Sequence, residues 1–567
     1  MSGAVHKVIS LAAWLRGGRI LLGAIFFAIA LTPTLIPRDD ISQGLLAGGC
    51  FAIGYGIGAL FHWLWRYLEL PEPSPSVRPT VNAVLIAVGV LIAVTALALA
   101  RHWQNATRAA MDMGPAEPSW SLMLGATAIA VIAIVLLVAH LFRASIMLVA
   151  PRVQRVVPRK VANVIALVLA AFVFWSITNT VIVRGVFSVM DASFQEWDRL
   201  FEPERPQPGD PNKTGGANSL VRWDELGRTG RRYVASAPSA DEIAAFSGRP
   251  APTPIRVYVG LQSGVSTDAR AKLALNELKR QGGFQRANLI VVTPTGTGWI
   301  DPSAIDAVEY LHGGDIASVA IQYSYLNSPL SLLAQPELGA EAARALFREI
   351  YGYWTTLPRD QRPKLYLHGL SLGAMNSELS VEPFDLLADP IAGALWSGPP
   401  FPSRMWRSIT NDRNAGSPAW LPTFRDGRFA RFMNQNGSVV PTDTPWGPMR
   451  VVYLQYASDA ITFFDYQTAY RRPAWMMEPR GPDVSRSLQW FPIVTMLQLA
   501  IDMILSNTTP MGFGHVYAPE HYLEAWLAVT GADKRTTEAI ARLKQHLAER
   551  GRAPPPGADN PYEGRGG

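Results

Sequence analysis

Five long apolar runs with almost no charge occupy the first third of the chain, at residues 20–36, 45–65, 80–100, 120–142 and 161–183. Each reaches or approaches the ~20 residues that a helix needs to cross a bilayer. Core helices of a soluble domain are the alternative, and five such runs in succession argue against it. The first run holds Pro33, with Pro37 just after it, so its end is open. A cleaved signal peptide is the alternative for that run alone. No A-x-A-like site follows it, and further runs come at once.

Lys and Arg in the short connections set the expected orientation, because basic residues resist translocation. Lys7, Arg16 and Arg19 precede the first run, and Arg66 and Arg78 lie between the second and third. Arg143, Arg152, Arg155, Arg159 and Lys160 lie between the fourth and fifth. The other two connections hold Arg38, then Arg101 and Arg108. The richer set reads as cytoplasmic. With five crossings of the cell (inner) membrane, everything after Arg184 is then expected on the outer, periplasmic side, and a miscount by one would reverse this.

The remainder of the 567 residues suffices for a catalytic domain with a sizeable core. The only cysteine, Cys50, lies in the second run, which excludes a thiol nucleophile, disulfides and Cys-ligated metal from the soluble part. The net charge of +6 is mild and spread out, with no basic run of the kind that binds nucleic acid. The expected domains are a transmembrane domain over 1–190, a catalytic domain over 191–550 and a disordered tail over 551–567.

Residues 184–201 carry Phe187, Met190, Phe194, Trp197 and Phe201 at helical spacing, which predicts an amphipathic helix at the membrane surface or packed on the soluble domain. Residues 221–223 and 232–234 read as short edge strands. Strands are then predicted at 255–261, 288–293, 316–323, 364–368, 393–396 and 450–455, with helices at 268–281, 302–311 and 337–355 between the first four. That alternation indicates a doubly wound, mostly parallel sheet. Residues 398–447 interrupt it and are rich in aromatics, which predicts a cap over the active site.

The most informative short motif is His368-Gly369-Leu370-Ser371-Leu372-Gly373. It is a G-x-S-x-G sequence with a β-rich run before it and helix-compatible residues after it, the layout of a nucleophile elbow. A serine hydroxyl is a weak nucleophile without a base, and the base needs an orienting acid. The expected chain order is Ser, acid, His. Asp459 follows the 450–455 strand and is the leading acid, with Asp465 and then Asp502 behind it. His515 lies in the Gly-rich run Gly512-Phe513-Gly514-His515 and is the leading base. His521 is its competitor, and His368 reads as a packed strand residue. The oxyanion donors are expected from the amide of Leu372 and from the loop Pro294–Trp299, at Thr295 and Gly296, with Gln262-Ser263-Gly264 as the fallback.

The soluble part, roughly residues 191–526, resembles the membrane-attached bacterial α/β-hydrolase family whose members carry a multi-span N-terminal domain. The matching pieces are Thr293-Pro294-Thr295-Gly296-Thr297-Gly298-Trp299, Gln322-Tyr323-Ser324-Tyr325-Leu326, the elbow, Trp396-Ser397-Gly398-Pro399-Pro400 and Gly514-His515-Val516-Tyr517. The resemblance implies an α/β-hydrolase fold behind an all-α transmembrane domain, with Ser371, Asp459 and His515 in the triad positions. The residue before the nucleophile is often acidic in that family. Here it is Leu370, which leaves the local polarity open.

The expected function is a membrane-anchored serine hydrolase acting on a small hydrophobic or lipid-like ester, with the lipid bilayer as partner and neither cofactor nor metal. A different class is a hydrolase-fold binding module without catalysis, in envelope transport or assembly.

Overall fold

A computed structural model describes residues 17–177, 205–326, 336–532 and 535–552, with the single residues 179, 198, 202 and 331. By its contacts the chain forms two compact units. One holds the N-terminal helices to Ser188 together with Phe464–Met476 and Pro482–Leu505. The other holds Val189–Phe463, Met477–Gly481 and the chain from Ser506 onward.

In the helical unit, the described part of the first apolar run is a short helix, α1 (Gly17–Ala30). It stops at Ala30 rather than at Ile36. Pro33 lies just beyond, and its ring and missing N–H oppose continuation. Among the described residues four further helices are long and apolar enough to cross a membrane: α2 (Asp40–Tyr67), α3 (Arg78–Ala109), α4 (Trp120–Val153) and α5 (Arg159–Ile177). Asp39 caps α2 by accepting from Ser42 N at 2.8 Å. Gly44 and Gly48, one turn apart, let α2 approach α4 closely. A Cβ at Gly44 would meet Thr127 Cβ at 2.6 Å, and one at Gly48 would meet Ala128 O at 2.8 Å. Small residues at such spacing are the common device for close packing between membrane helices. Gln104 near the end of α3 donates to Arg38 O at 2.6 Å, and Trp120 Nε1 at the start of α4 donates to the same oxygen at 3.3 Å. These bonds gather the α1–α2 and α3–α4 connections at one end of the helices.

The second unit is built on a seven-stranded sheet in the order β1-β3-β2-β4-β5-β7-β6. Its strands are β1 (Ile255–Val259), β2 (Asn288–Thr293), β3 (Ile316–Ile321), β4 (Lys364–Leu370), β5 (Gly393–Ser397), β6 (Ala430–Met433) and β7 (Arg450–Leu454). Every pairing is parallel. Continuous apolar runs such as Leu289-Ile290-Val291-Val292 are buried along their whole length, as strands covered on both faces must be. Helices Thr267–Arg280 and Pro336–Thr356 pack together with α6 (Leu372–Glu378). Pro302–Leu311, Pro519–Thr530 and Thr537–Arg552 form a second packed group, in which Trp526 Nε1 donates to Ala304 O at 2.8 Å.

Several expectations change. Residues 223–226 form a 3-10 turn and Gly227–Ala235 a helix, so the two short edge strands at 221–223 and 232–234 do not form. Three-residue patterns cannot separate a period of 2 from one of 3.6. That helix packs on β1 through Gly230, where a Cβ would lie 2.5 Å from the Tyr258 ring. Residues 398–447 hold a helix at Arg404–Asn411 and supply β6, which pairs with β7 at the sheet edge. The expected amphipathic helix at 184–201 lies outside the described residues apart from Asp198, and the expected tail does so beyond residue 552.

Two buried polar clusters anchor this unit. Arg256 on β1 bonds Glu309 through Nε at 2.8 Å and Nη2 at 2.7 Å, Asp306 at 2.6 Å and Tyr233 O at 2.8 Å. At the end of α6, the Glu378 carboxyl accepts from Tyr453 OH at 2.9 Å and Met405 N at 3.3 Å. Burial pushes Glu378 up to about 7.

Arg256→Ala should destabilise the protein by about 3–5 kcal/mol, because it leaves the buried Glu309 carboxylate without its cation, while Asp306 keeps Arg550. Denaturant unfolding measures this, and a loss under about 1 kcal/mol would overturn the assignment. For Glu378 the native state holds a proton that the unfolded state releases between 4.5 and about 7. Stability is therefore full below that window and falls as pH rises through it, by on the order of 3 kcal/mol. Glu378→Gln should flatten the Tm profile across the window and raise Tm above that of the parent on its alkaline side. A profile unchanged by the substitution would refute this.

Candidate active site

β4 runs directly into Ser371, whose φ of 57° and ψ of −126° lie in a region that non-glycine residues avoid. Such strain costs about 1–3 kcal/mol and persists only where the surroundings impose it. Here the Ser371 N–H donates to Ser397 O at the end of β5 at 3.0 Å. Ser371 O accepts from Ala374 N and Met375 N at 2.9 and 3.2 Å, which starts α6. The turn is so tight that a Cβ at Gly369 would stand 2.3 Å from Gly373 C, and one at Gly373 2.2 Å from Thr293 O. Both glycines of the G-x-S-x-G motif are thus required by space.

β7 leads through Tyr456-Ala457-Ser458 to Asp459, which is fully buried. Its Oδ1 accepts from Ile461 N at 3.0 Å. Its Oδ2 accepts from Tyr517 OH at 2.7 Å and Thr462 Oγ1 at 3.3 Å, and lies 2.7 Å from His515 Nδ1. A carboxylate oxygen accepts, so in this contact Nδ1 is the donor. His515 Nε2 is buried and has no hydrogen-bond partner among the described residues. Burial, followed by the charge of Asp459, holds the Tyr517 hydroxyl well above its ordinary range, so it stays a donor.

The loop that carries His515 is pinned at both ends of its turn. Gly514 N donates to Ser458 Oγ at 2.9 Å and His515 N to Ser506 O at 3.1 Å. Gly514 has φ +56°, and a Cβ there would meet Thr509 Oγ1 at 2.6 Å. The exit of β5 links the three groups. Ser397 O holds Ser371, and the next residue, Gly398 (φ +48°), has no room for a Cβ. That atom would lie 2.5 Å from His515 Cε1 and 3.0 Å from Asp459 Oδ2.

The rival residues have other partners. His521 Nδ1 lies 2.6 Å from Tyr456 OH, and burial lowers its pKa. His368 Nδ1 lies 2.9 Å from Leu395 O, and burial pushes it down to about 4. Asp465 caps the turn Tyr466–Ala469, and Asp502 binds Arg38. Of the residues expected as oxyanion donors, Leu372 opens α6, so its N–H has no acceptor within the helix. β2 adjoins β4, and the carbonyls of Thr293 and Pro294 abut Gly373, so the 294–299 loop lies at the elbow. The Thr295 N–H is already used, donating to Trp299 O at 2.9 Å. Tyr517 and Gly398 lay within motifs visible in the sequence, but nothing there marked their contacts with Asp459 and His515.

Comparison with known families fits this geometry. A model described as the N-terminus of an alpha/beta-hydrolase family matches residues 31–238, and one described as the alpha/beta-hydrolase family itself matches residues 255–543. No curated protein and no solved structure matches the chain. With a parallel sheet, a strained serine turn and two adjoining family matches that together take in most of its length, the chain belongs to an α/β-hydrolase family that carries a distinct N-terminal domain.

Proposed function

We propose that the protein is a membrane-anchored serine hydrolase that cleaves a carboxylic ester of a hydrophobic or lipid-like molecule. The carrying observation is the buried pair Asp459 Oδ2 and His515 Nδ1 at 2.7 Å, with His515 Nε2 unpartnered. Ser371 Oγ attacks the ester carbonyl carbon and its proton passes to Nε2. Asp459 holds the imidazole in that tautomer and stabilises the imidazolium. The tetrahedral oxyanion is held by the Leu372 N–H and by an amide of the 294–299 loop. His515 then protonates the leaving alkoxide, and water, deprotonated by the same nitrogen, releases the acid from Ser371. The apolar helices favour a substrate that partitions into lipid.

We also propose that the hydrolase unit faces away from the cytoplasm. The basic residues favour this: ten lie in the segments read as inner, against three in the outer connections. The bonds that gather the α1–α2 and α3–α4 connections at one end agree with α1 crossing as well.

Ser371→Ala should abolish hydrolysis of short acyl esters and labelling by a fluorophosphonate probe, with Tm unchanged. Full activity in that variant would sink the assignment. Asp459→Asn should lower kcat by roughly 10,000-fold through loss of tautomer control. A larger loss from Asp465→Asn would show that the acid is another residue. For the orientation, a phosphatase that folds only outside the cytoplasm should be active when fused after Phe201, and a cytoplasmic fluorescent reporter should be dark there. The opposite pair of results would reverse the assignment.

A further inference from the structure

One oxygen of the Asp459 carboxylate is shared by three donors, although a triad needs only one of them. His515 Nδ1 and Tyr517 OH each lie 2.7 Å from Oδ2, and Thr462 Oγ1 donates to it at 3.3 Å. The other oxygen accepts from Ile461 N at 3.0 Å. All of these residues belong to the sheet unit. His515 and Tyr517 are two residues apart on one loop, so that loop grips a single carboxylate oxygen at two points.

Little freedom is left between those points. Gly512 N donates to Val516 O at 2.8 Å and Val516 N to Phe513 O at 3.1 Å, which closes the turn around His515. The Tyr517 ring is buried. It stacks on Tyr456 with centroids 4.5 Å apart and 22° between the planes, and it stands edge-on to the imidazole at 5.8 Å and 80°. Ala518 N donates to Tyr456 OH at 3.1 Å, which ties the residue after Tyr517 to the same ring. Tyr456 in turn lies on the exit of β7, three residues before Asp459. Held in this way, the phenol has little room to turn its O–H from Oδ2. A carboxylate by itself turns easily about its terminal torsion. Ile461 N holds one of its oxygens and the two hydroxyls hold the other. Oδ2 then faces Nδ1 both before and after the imidazole takes up the Ser371 proton.

We infer that Tyr517, with Thr462 in a lesser part, is a positioning residue: its hydroxyl locks the Asp459 carboxylate in the direction that His515 needs. This rests on the triad reading above. Neither side chain is given a part in the chemistry itself.

The test uses the full-length protein in detergent, a soluble short-chain ester and the rate of labelling by the fluorophosphonate probe. Tyr517→Phe keeps the ring and its stack and removes only the hydroxyl. It should lower kcat and the labelling rate by about tenfold to a hundredfold, while KM stays within about twofold. Thr462→Val should lower both by about threefold, because its bond is the longer one. A hydroxyl that acts through Asp459 has nothing to act on once the carboxylate is gone. Asp459→Ala with Tyr517→Phe should therefore label within about twofold of Asp459→Ala alone. The same loss in both backgrounds overturns the inference, as does parental kcat in Tyr517→Phe or an effect carried by KM. Should Tyr517→Phe not fold, Thr462→Val decides, and parental kcat there overturns the inference. Failure of the triad reading shows separately, as activity and labelling that survive Ser371→Ala, and this inference falls with it.

Discussion

One buried carboxylate organises the hydrolase unit. Among the described residues no Lys or Arg bonds Asp459, its side chain is fully buried, and an uncompensated ion there would be very unfavourable. It is compensated by its donors: Ile461 N, Thr462 Oγ1, Tyr517 OH and His515 Nδ1. Each comes from a segment that must be in place before the charge is satisfied. The exit of β7 supplies the first two, and the glycine-rich loop and the approach to the helix Pro519–Thr530 supply the others. The same condition explains Gly398. Any larger residue would enter the volume occupied by the imidazole and the carboxylate together.

The central part of this fold was legible because it is local. β2, β3 and β4 are short uninterrupted apolar runs between turn signals, and a G-x-S-x-G motif after such a run has few geometries open to it. Asp459 and His515, which the structure holds 2.7 Å apart, could each be picked out as a residue on a loop beyond a regular element. Less legible was whatever depends on partners distant in sequence. β6 is four residues long and becomes a strand only because β7 offers an edge. Tyr517 finds its role only once Asp459 is beside it. Arg38 and Asp502 are separated by 464 positions, and each reads as an isolated charge in an apolar neighbourhood. Asp502 could be weighed as a triad candidate for that reason alone.

The apolar N-terminal helices give a similar lesson. Their existence is a matter of composition and length, and both are explicit in the sequence. Their ends are set by individual residues, and Pro33 makes the first helix stop before its apolar run does. How closely α2 packs on α4 depends on Gly44 and Gly48, which in a linear reading are two small residues among many.

The discontinuity of the helical unit has a practical consequence. A chain trimmed to begin after Ser188 would still carry Phe464–Met476 and Pro482–Leu505, because they lie between segments that belong to the sheet unit. Val494, Leu497 and Ile501 would lose the apolar partners they pack against, and Asp502 would keep its charge without Arg38. Such a fragment would expose a sticky helix in the middle of its own sequence and would be prone to aggregate. A soluble version of the sheet unit therefore has to lose Phe464–Met476 and Pro482–Leu505, replaced by short polar bridges on either side of Met477–Gly481, as well as the N-terminal helices.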